Sequence, residues 1–363
     1  MLNKIYCNTP AIFLAHGYVG EMLGKTINGV LMHSELFDVV ALVDRNRVGQ
    51  DTGKICPGVT KKVPIYATVE DAITHQPQVM ILVGDPGEEN MAEIKFCTEK
   101  GLDVINSSFT FLKNFPDLVS LANKRGARLI DLRNIQRKFR DVDGGILNIK
   151  AKVVFVTGTD CGLGKRTATY ELVNEAKRRG INAGFAATGQ TGLMIGCDGG
   201  IIFDAITAQF LAGSVEELIV DLNKKNFELI FLEGQGSVMH FGTSCVITLL
   251  HASNPHAIVA VHDPQRVMHA GYPDSPIFKM CELEREIEII EKLSLPGGNK
   301  FKVTALATIG KENIRTLEKI SDLPVADTRQ PGGAGILLDA VLKHLQKEYR
   351  WRPQNLRKVL DAN

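Results

Sequence analysis

The stretch Lys152-Val-Val-Phe-Val-Thr157, followed at once by Gly158-Thr-Asp-Cys-Gly-Leu-Gly164-Lys165-Arg166-Thr167, constrains this chain more than any other. A buried strand, a glycine-rich turn and a segment of helical periodicity follow one another. That order aims several backbone N–H groups and the positive end of a helix at one point. Lys165 adds a full charge there, so the turn predicts a nest for phosphate. The candidate cofactor-binding residues are Gly158, Thr159, Asp160, Cys161, Gly162, Gly164, Lys165, Arg166 and Thr167. Two departures shape the chemistry. Five residues stand between Gly158 and Gly164 where the usual loop has four before its Gly-Lys, and Arg166 takes the place of the hydroxyl that holds Mg²⁺, with Thr167 one position late. The sequence therefore predicts no metal ligand at that position. A guanidinium beside a phosphate nest supplies charge and forked hydrogen bonds without metal, although Arg166 also reads as an ordinary exposed helix residue.

Around this loop the chain alternates short β-rich runs with helix-length segments, the pattern of parallel α/β sheets. In the first third the expected strands are Ala11–Ala15, Val39–Val43, Val79–Val83, Val104–Ile105 and Leu129–Ile130, with helices at Lys25–Met32, Val69–Ile73, Glu88–Lys100 and Pro116–Lys124. A basic stretch from Arg133 to Arg140 leads to the turn residues Asp143-Gly144-Gly145, which mark a linker. Beyond it, strands are expected at Val153–Val156, Gly184–Ala187, Leu229–Leu232, Ala257–Val261, Val303–Ala307 and Val325–Ala326. Helices fit Thr167–Arg179, Val215–Asn223, Leu283–Leu293 and Ile336–Glu348. The expectation is two doubly wound α/β domains: residues 1–147, Rossmann-like, and residues 148–363, P-loop NTPase-like.

A length of 363 residues suits two domains with their own cores, and 42 Lys+Arg against 41 Asp+Glu leaves no single-sign field that would call for nucleic acid. No apolar run approaches the roughly 20 residues of a membrane helix, and the first residues do not read as a signal peptide. Seven scattered cysteines, without a C-x-x-C pair, fit reduced thiols better than disulfides or zinc. A cytoplasmic protein with a small-molecule substrate, no metal, no nucleic-acid or membrane partner and a homo-oligomeric state is expected.

In doubly wound sheets ligands sit past the carboxyl ends of strands, so the residues after each strand are the place to search. Leu229-Ile-Phe-Leu-Glu233-Gly-Gln235-Gly236 puts a carboxylate at a strand tip, where it can act as a general base or hold Mg²⁺ through water, unless it is simply a solvated surface Glu. His240, on the same edge, is a second candidate base. Ala187-Thr-Gly-Gln190-Thr191-Gly192 reads as a substrate loop, and His262-Asp-Pro-Gln-Arg266 presents an imidazole with a guanidinium able to clamp a carboxylate. In the first third, Gly17-Tyr-Val-Gly20 with Lys25-Thr26 and Asp44 imitates a dinucleotide fingerprint, but the third glycine is misplaced and the spacing to Asp44 is long.

Two resemblances follow. Gly158-Thr-Asp-Cys with Gly164-Lys165, and Leu-Glu233-Gly-Gln-Gly, are locally similar to the dethiobiotin synthetase branch of P-loop proteins. Nearly the full chain resembles a bacterial and archaeal family, long without a known function, that includes D-glutamate N-acetyltransferases. The segments that carry this are His16-Gly17 through Gly24-Lys25-Thr26, Gly101-Leu-Asp-Val-Ile-Asn, the loop from Gly158 through Thr167, Ala187 through Gly192, Glu233 through Ser237 with His240, and His262 through Arg266. Phe241 stands where that family is expected to have Pro. The family resemblance implies a Rossmann-like and a P-loop domain and acetyl transfer from acetyl-CoA to the amine of an acidic amino acid. In that reading the Lys165 loop holds the CoA phosphates, Glu233 or His240 takes a proton from the amine, and Gln190, Thr191, Gln235, His262 and Arg266 bind substrate. The alternative is an ATP-dependent ligase or kinase that requires Mg²⁺. A third reading is a nucleotide-sensing or assembly module without turnover.

Overall fold

The computed structural model describes residues 2–56, 58–134, 140–242, 245–272 and 276–355. The chain divides into two compact units, one of Met1–Arg137, Gly189–Gly196 and Ile202–Ala205, the other of Lys138–Thr188, Cys197–Ile201 and Ile206–Asn363.

The first unit is built on a six-stranded parallel sheet of order β3-β2-β1-β4-β5-β6. Its strands are β1 Thr9–Leu14, β2 Phe37–Val43, β3 Ile65–Tyr66, β4 Val79–Leu82, β5 Asp103–Asn106 and β6 Leu129–Asp131. The helices are α1 Lys25–His33, the single turns α2 Thr52–Ile55 and α3 Val69–Ala72, α4 Glu88–Glu99 and α5 Pro116–Arg125. Period-two alternation puts Ile12, Leu14, Ala41, Val43, Met80, Leu82 and Val104 into one core with Ile94 and Cys97 of α4 and Leu118 of α5. The two-residue β3 escaped the sequence reading because so short a strand carries no periodicity.

The crevice between β1 and β4, where a dinucleotide would lie, is occupied by the protein itself. Asp44 is fully buried, and its carboxylate accepts the N–H groups of Gly17 (3.1 Å), Val19 (3.3 Å) and Asn46 (3.0 Å). It anchors the β1–α1 loop and lies buried away from solvent. Tyr18 lies against Gly84, whose φ of +108° and 2.8 Å clearance to the Tyr18 ring exclude any side chain.

The second unit carries a seven-stranded parallel sheet of order β13-β12-β11-β7-β10-β8-β9. These strands are β7 Lys152–Gly158, β8 Ala183–Ala187, β9 Gly199–Gly200, β10 Leu229–Glu233, β11 Ala257–Val261, β12 Val303–Ala307 and β13 Val325–Ala326. Helices after α5 are α6 Lys165–Arg178, α7 Gln190–Ile195, α8 Leu211–Lys224, α9 Cys245–Ser253, α10 Leu283–Lys292, α11 Lys311–Ile320 and α12 Gly333–Tyr349. All except α7 belong to the second unit. Strands β7, β8, β10 and β11 are buried almost throughout, as expected of a parallel sheet covered on both faces. α6 buries Ala168, Thr169, Leu172, Val173 and Ala176, a stripe at helical spacing. Gly164 at its N-cap has φ +104°, so the helix starts at Lys165, two residues before the start expected from periodicity. Residues 143–146 are fastened inside this unit, because the buried Glu216 of α8 accepts N–H groups from Asp143 (2.9 Å) and Ile146 (3.1 Å). The middle of the expected basic stretch, residues 135–139, lies outside the described residues. Among the described residues no helix is long and apolar enough to cross a membrane.

Ala187 through Gly192, expected as a loop, instead ends β8 and opens α7, which packs against α1 in the first unit. Thr191 Oγ1 and Thr26 Oγ1 lie 2.9 Å apart, and Gly196 closes the helix at φ +105°. The short segment with an internal glycine hid the helical pattern; its packing on α1 supplies what propensity does not.

At the amino-terminal side of the second sheet His256 is buried, with Nδ1 accepting the Val153 N–H at 3.1 Å. Burial first, then the charges of Lys152 and His344, push its pKa down to about 3. An unfolded chain would bind that proton near pH 6.5, so as pH falls from about 6.5 towards 3 the fold loses about 1.4 kcal/mol per pH unit through this group. Denaturant titrations at about pH 7 and about pH 4.5 should show that loss, and His256→Gln should flatten it; an unchanged slope in the variant would contradict neutral burial.

Candidate functional site

Parallel strands bring their carboxyl ends to one edge, and the register decides which residues meet there. β10 sets Glu233 opposite Val156, and β11 sets Val261 opposite Gly158. The loop leaving β7 is therefore flanked by Glu233 on one side and His262 on the other. Gly158 must be glycine, since a Cβ would sit 2.9 Å from the Val261 carbonyl oxygen and 3.1 Å from Lys165 Cγ. The lysine stem thus passes over Gly158, and the Lys165 ammonium donates to the Asp160 carbonyl within the loop. Gly162 (φ +71°) and Gly164 (φ +104°) both take the left-handed conformation that turns successive N–H groups to one side. The geometry is a phosphate nest with a lysine at its rim.

Asp160 holds this loop in shape. It is fully buried, and its Oδ2 accepts from Arg266 Nη1 (2.8 Å) and the Ala270 N–H (2.8 Å), while Oδ1 accepts from His269 Nδ1 (3.0 Å). Burial alone would raise its pKa, but the bonds from Arg266, Ala270, His269 and the Cys161 N–H outweigh it and hold the carboxyl below the ordinary range. Arg266 Nη1 also donates to the Cys161 carbonyl at 2.7 Å. This nitrogen is engaged with the loop rather than presented to a substrate carboxylate, because a buried carboxylate requires a cation. His262 is likewise turned inward: Nδ1 meets Thr159 Oγ1 at 2.8 Å, and burial lowers its pKa against the opposing charges of Asp263, Glu284 and Glu282. Through this nitrogen it supports Thr159.

His240 is only 5% exposed at its side chain. Its Nδ1 accepts the Gly242 N–H at 3.0 Å, which places the ring proton on Nε2, 3.5 Å from Asp160 Oδ1. Burial, His269 and Lys165 lower its pKa against the pull of Asp160, so the ring is neutral. In this tautomer His240 is a donor, and neither nitrogen is free to take a proton. The same point bears on metal: Asp160, Cys161 and His240 bring ligand-type atoms within 4.8 Å of one another, yet Nε2 carries hydrogen where a lone pair would be needed and Asp160 already faces Arg266.

Glu233 ends β10, beside the strand that leads into the nest. Its Oε2 accepts the Thr188 N–H at 3.0 Å, Thr188 Oγ1 donates to its carbonyl at 3.0 Å, and Gln235 Nε2 donates to Thr188 Oγ1 at 2.9 Å. Arg166 is half-buried, but its Nε is shut off from solvent without a partner; burial lowers its pKa and the Glu233 charge acts against that shift. Thr167 follows on the first turn of α6. Gln190 and Thr191 belong to the first unit, whereas the loop, Glu233, Gln235, His240, His262 and Arg266 belong to the second.

Three participants were absent from the sequence reading: His269, Ala270 and Glu286. Glu286 of α10 accepts from Ser237 Oγ (2.6 Å) and the Val238 N–H (3.0 Å) and so positions the segment that carries His240. Its pKa is raised by burial despite the bonds from Ser237, Val238 and Met239. Each is far along the chain from the loop it supports, so spacing could not reveal it.

A strand, nest and Gly-Lys helix on a parallel sheet define a P-loop protein, here with a Rossmann-like sheet in the same chain. Residues 140–337 match the DUF1611 P-loop domain and residues 45–135 the DUF1611_N Rossmann-like domain, both domains of unknown function. The chain belongs to the DUF1611 family. A crystal structure of a DUF1611 family protein from Anabaena variabilis superposes with a TM-score of 0.84 at 29% identity, over 93% of this chain and 100% of that one. A Tritonibacter scottomollicae protein named D-glutamate N-acetyltransferase is 32% identical over 252 residues, 67% of this chain and 73% of its own length. A Pseudoalteromonas protein of the same name is 33% identical over 181 residues, 48% of this chain and 53% of its own.

Asp160→Asn removes the charge that Arg266 and His269 face. It should lower stability by about 2–4 kcal/mol, somewhat less than breaking a fully buried pair because Arg266 is partly exposed, and weaken phosphate-ligand binding with it. Wild-type stability in this variant, measured by denaturant titration, would contradict the anchoring role.

Proposed function

We propose that this protein is an N-acetyltransferase-like enzyme that moves an acetyl group from acetyl-CoA to the amine of an acidic amino acid such as D-glutamate. The observation that carries this reading is the 32%-identical relative named D-glutamate N-acetyltransferase, which this chain covers over 73% of its length. The site agrees with it in one physical respect. Acyl transfer needs no nucleotide hydrolysis, and Arg166 stands at the position where hydrolysis would require a metal-binding hydroxyl.

In this reading the N–H groups of the nest and the Lys165 ammonium hold the cofactor phosphates, with Arg166 adding positive charge on the first turn of α6. Thr159, Asp160 and Cys161 shape the loop, and Thr167 lies at its helical end. The proton of the attacking amine goes to Glu233, since His240 in its observed tautomer offers no free lone pair. His240 instead keeps its N–H buried beside Asp160. Gln235, beside Glu233 and donating to Thr188 Oγ1, is the candidate acceptor-binding residue that this unit supplies.

Release of the free CoA thiol on mixing acetyl-CoA with D- or L-glutamate tests this directly. Turnover should need no added Mg²⁺, and Glu233→Gln should lower kcat about a hundredfold or more while leaving cofactor affinity within a few-fold. Unchanged kcat in Glu233→Gln would remove it as the base. ADP release that requires both Mg²⁺ and a carboxylate substrate would replace the acetyltransferase reading with the ligase one.

A further inference from the structure

Five exposed large apolar side chains gather on two loops of the second unit: Met239 and Phe241 after β10, and Val267, Tyr272 and Ile277 after β11. Phe241 and Ile277 are each 73% exposed, too much for residues left in water without purpose on adjacent loops. The second loop is a hairpin, with Met268 bridged antiparallel to Lys279, His269 N–H donating to the Phe278 carbonyl (2.9 Å) and Met280 N–H to that of Val267 (2.9 Å). The base of the hairpin is held to the nest by Asp160, through Arg266, His269 and Ala270.

The rings form a continuous path away from the phosphate loop. His240, 3.5 Å from Asp160, lies 6.4 Å from the Tyr272 ring centre; Tyr272 stacks on Phe278 at 4.2 Å; and Phe278 meets Phe241 edge-on at 5.2 Å. Phosphates in the nest leave one difficulty. The thioester of an acyl-CoA sits at the far end of a long pantetheine arm, whereas Glu233 lies at the nest itself.

We propose that the apolar platform of Phe241, Tyr272, Phe278 and Ile277 binds the pantetheine arm, folding it back along the sheet edge so that the thioester stays near Glu233. This inference rests on the acyl-CoA reading. The arm is the part of the cofactor joined to the phosphates, and its gem-dimethyl and methylene groups, with flat amides between them, match an aromatic surface whose ring path starts beside Asp160. A second copy of the chain is the poorer occupant, because a stable interface engages roughly 20–30 residues a side and this patch offers six.

The test compares acetyl-CoA with 3′-phospho-ADP, the same nucleotide without its arm, by calorimetric titration of wild type, Phe241→Ser and Ile277→Ser. Both variants replace exposed side chains, so folding is retained. Affinity for acetyl-CoA should fall about tenfold or more in Phe241→Ser, the scale of one apolar side chain's burial, with the nucleotide unaffected. Equal losses for both ligands would assign the platform to the base, and no loss would leave the arm elsewhere; either overturns the proposal while acetyl-CoA still binds wild type. Wild type that binds Mg-ATP but not acetyl-CoA would remove the acyl-CoA reading itself. A dimer that dissociates in Phe241→Ser would give the patch to a second copy and overturn the arm site.

Discussion

A single buried carboxylate organises the second unit. Asp160 lies inside the glycine-rich loop with no exposed surface, and a charge in that position is tolerable only if it is matched and hydrogen-bonded. The match comes from Arg266, His269 and the Ala270 N–H, all on the segment after β11. The loop is thereby tied to a hairpin more than a hundred residues away. The same Arg266 nitrogen holds the Cys161 carbonyl, so the left-handed turns at Gly162 and Gly164 begin from a fixed point. A nest is a weak binder when its backbone must first be ordered, and preorganisation removes that cost.

Parallel register does the remaining work. With Glu233 opposite Val156 and Val261 opposite Gly158, three strands deliver a carboxylate, a phosphate nest and a supporting histidine to one edge. The first sheet uses its strand end differently. There the acidic residue in the corresponding place, Asp44, is satisfied by its own loop, which turns a dinucleotide-like pattern into a structural anchor. Both sheets thus place a buried carboxylate at a strand end, Asp44 accepting N–H groups of its own loop and Glu233 the N–H of Thr188.

Much of this was legible in the sequence. The loop from Gly158 to Thr167, Glu233 and the alternation of strands and helices are local patterns, and the sheets follow them: eleven expected strands are present, with only the two-residue β3 and β9 added at the edges. Side-chain direction was not legible. His262 and Arg266 follow a strand, as substrate ligands do, but the sequence does not show that His262 Nδ1 and Arg266 Nη1 are engaged by the loop, because their partners Thr159 and Asp160 lie about a hundred residues earlier. His240 reads as a base from its place on the strand edge, but its Nδ1 accepts a backbone N–H two residues on. Proton placement depends on contacts made after folding, and no spacing rule encodes it.

In the proposed function the Lys165 nest holds the phosphates of an acyl-CoA without a metal ion. Calorimetric titration of the whole protein with acetyl-CoA, with Mg²⁺ and again with a chelator, alongside Lys165→Ala, tests it most directly. Affinity should be the same with and without metal and should be lost in the variant, since a buried ammonium facing phosphate contributes charge-assisted hydrogen bonds that a methyl group does not replace. Binding that appears only with Mg²⁺ and prefers ATP, or acetyl-CoA binding that Lys165→Ala leaves intact, would contradict it.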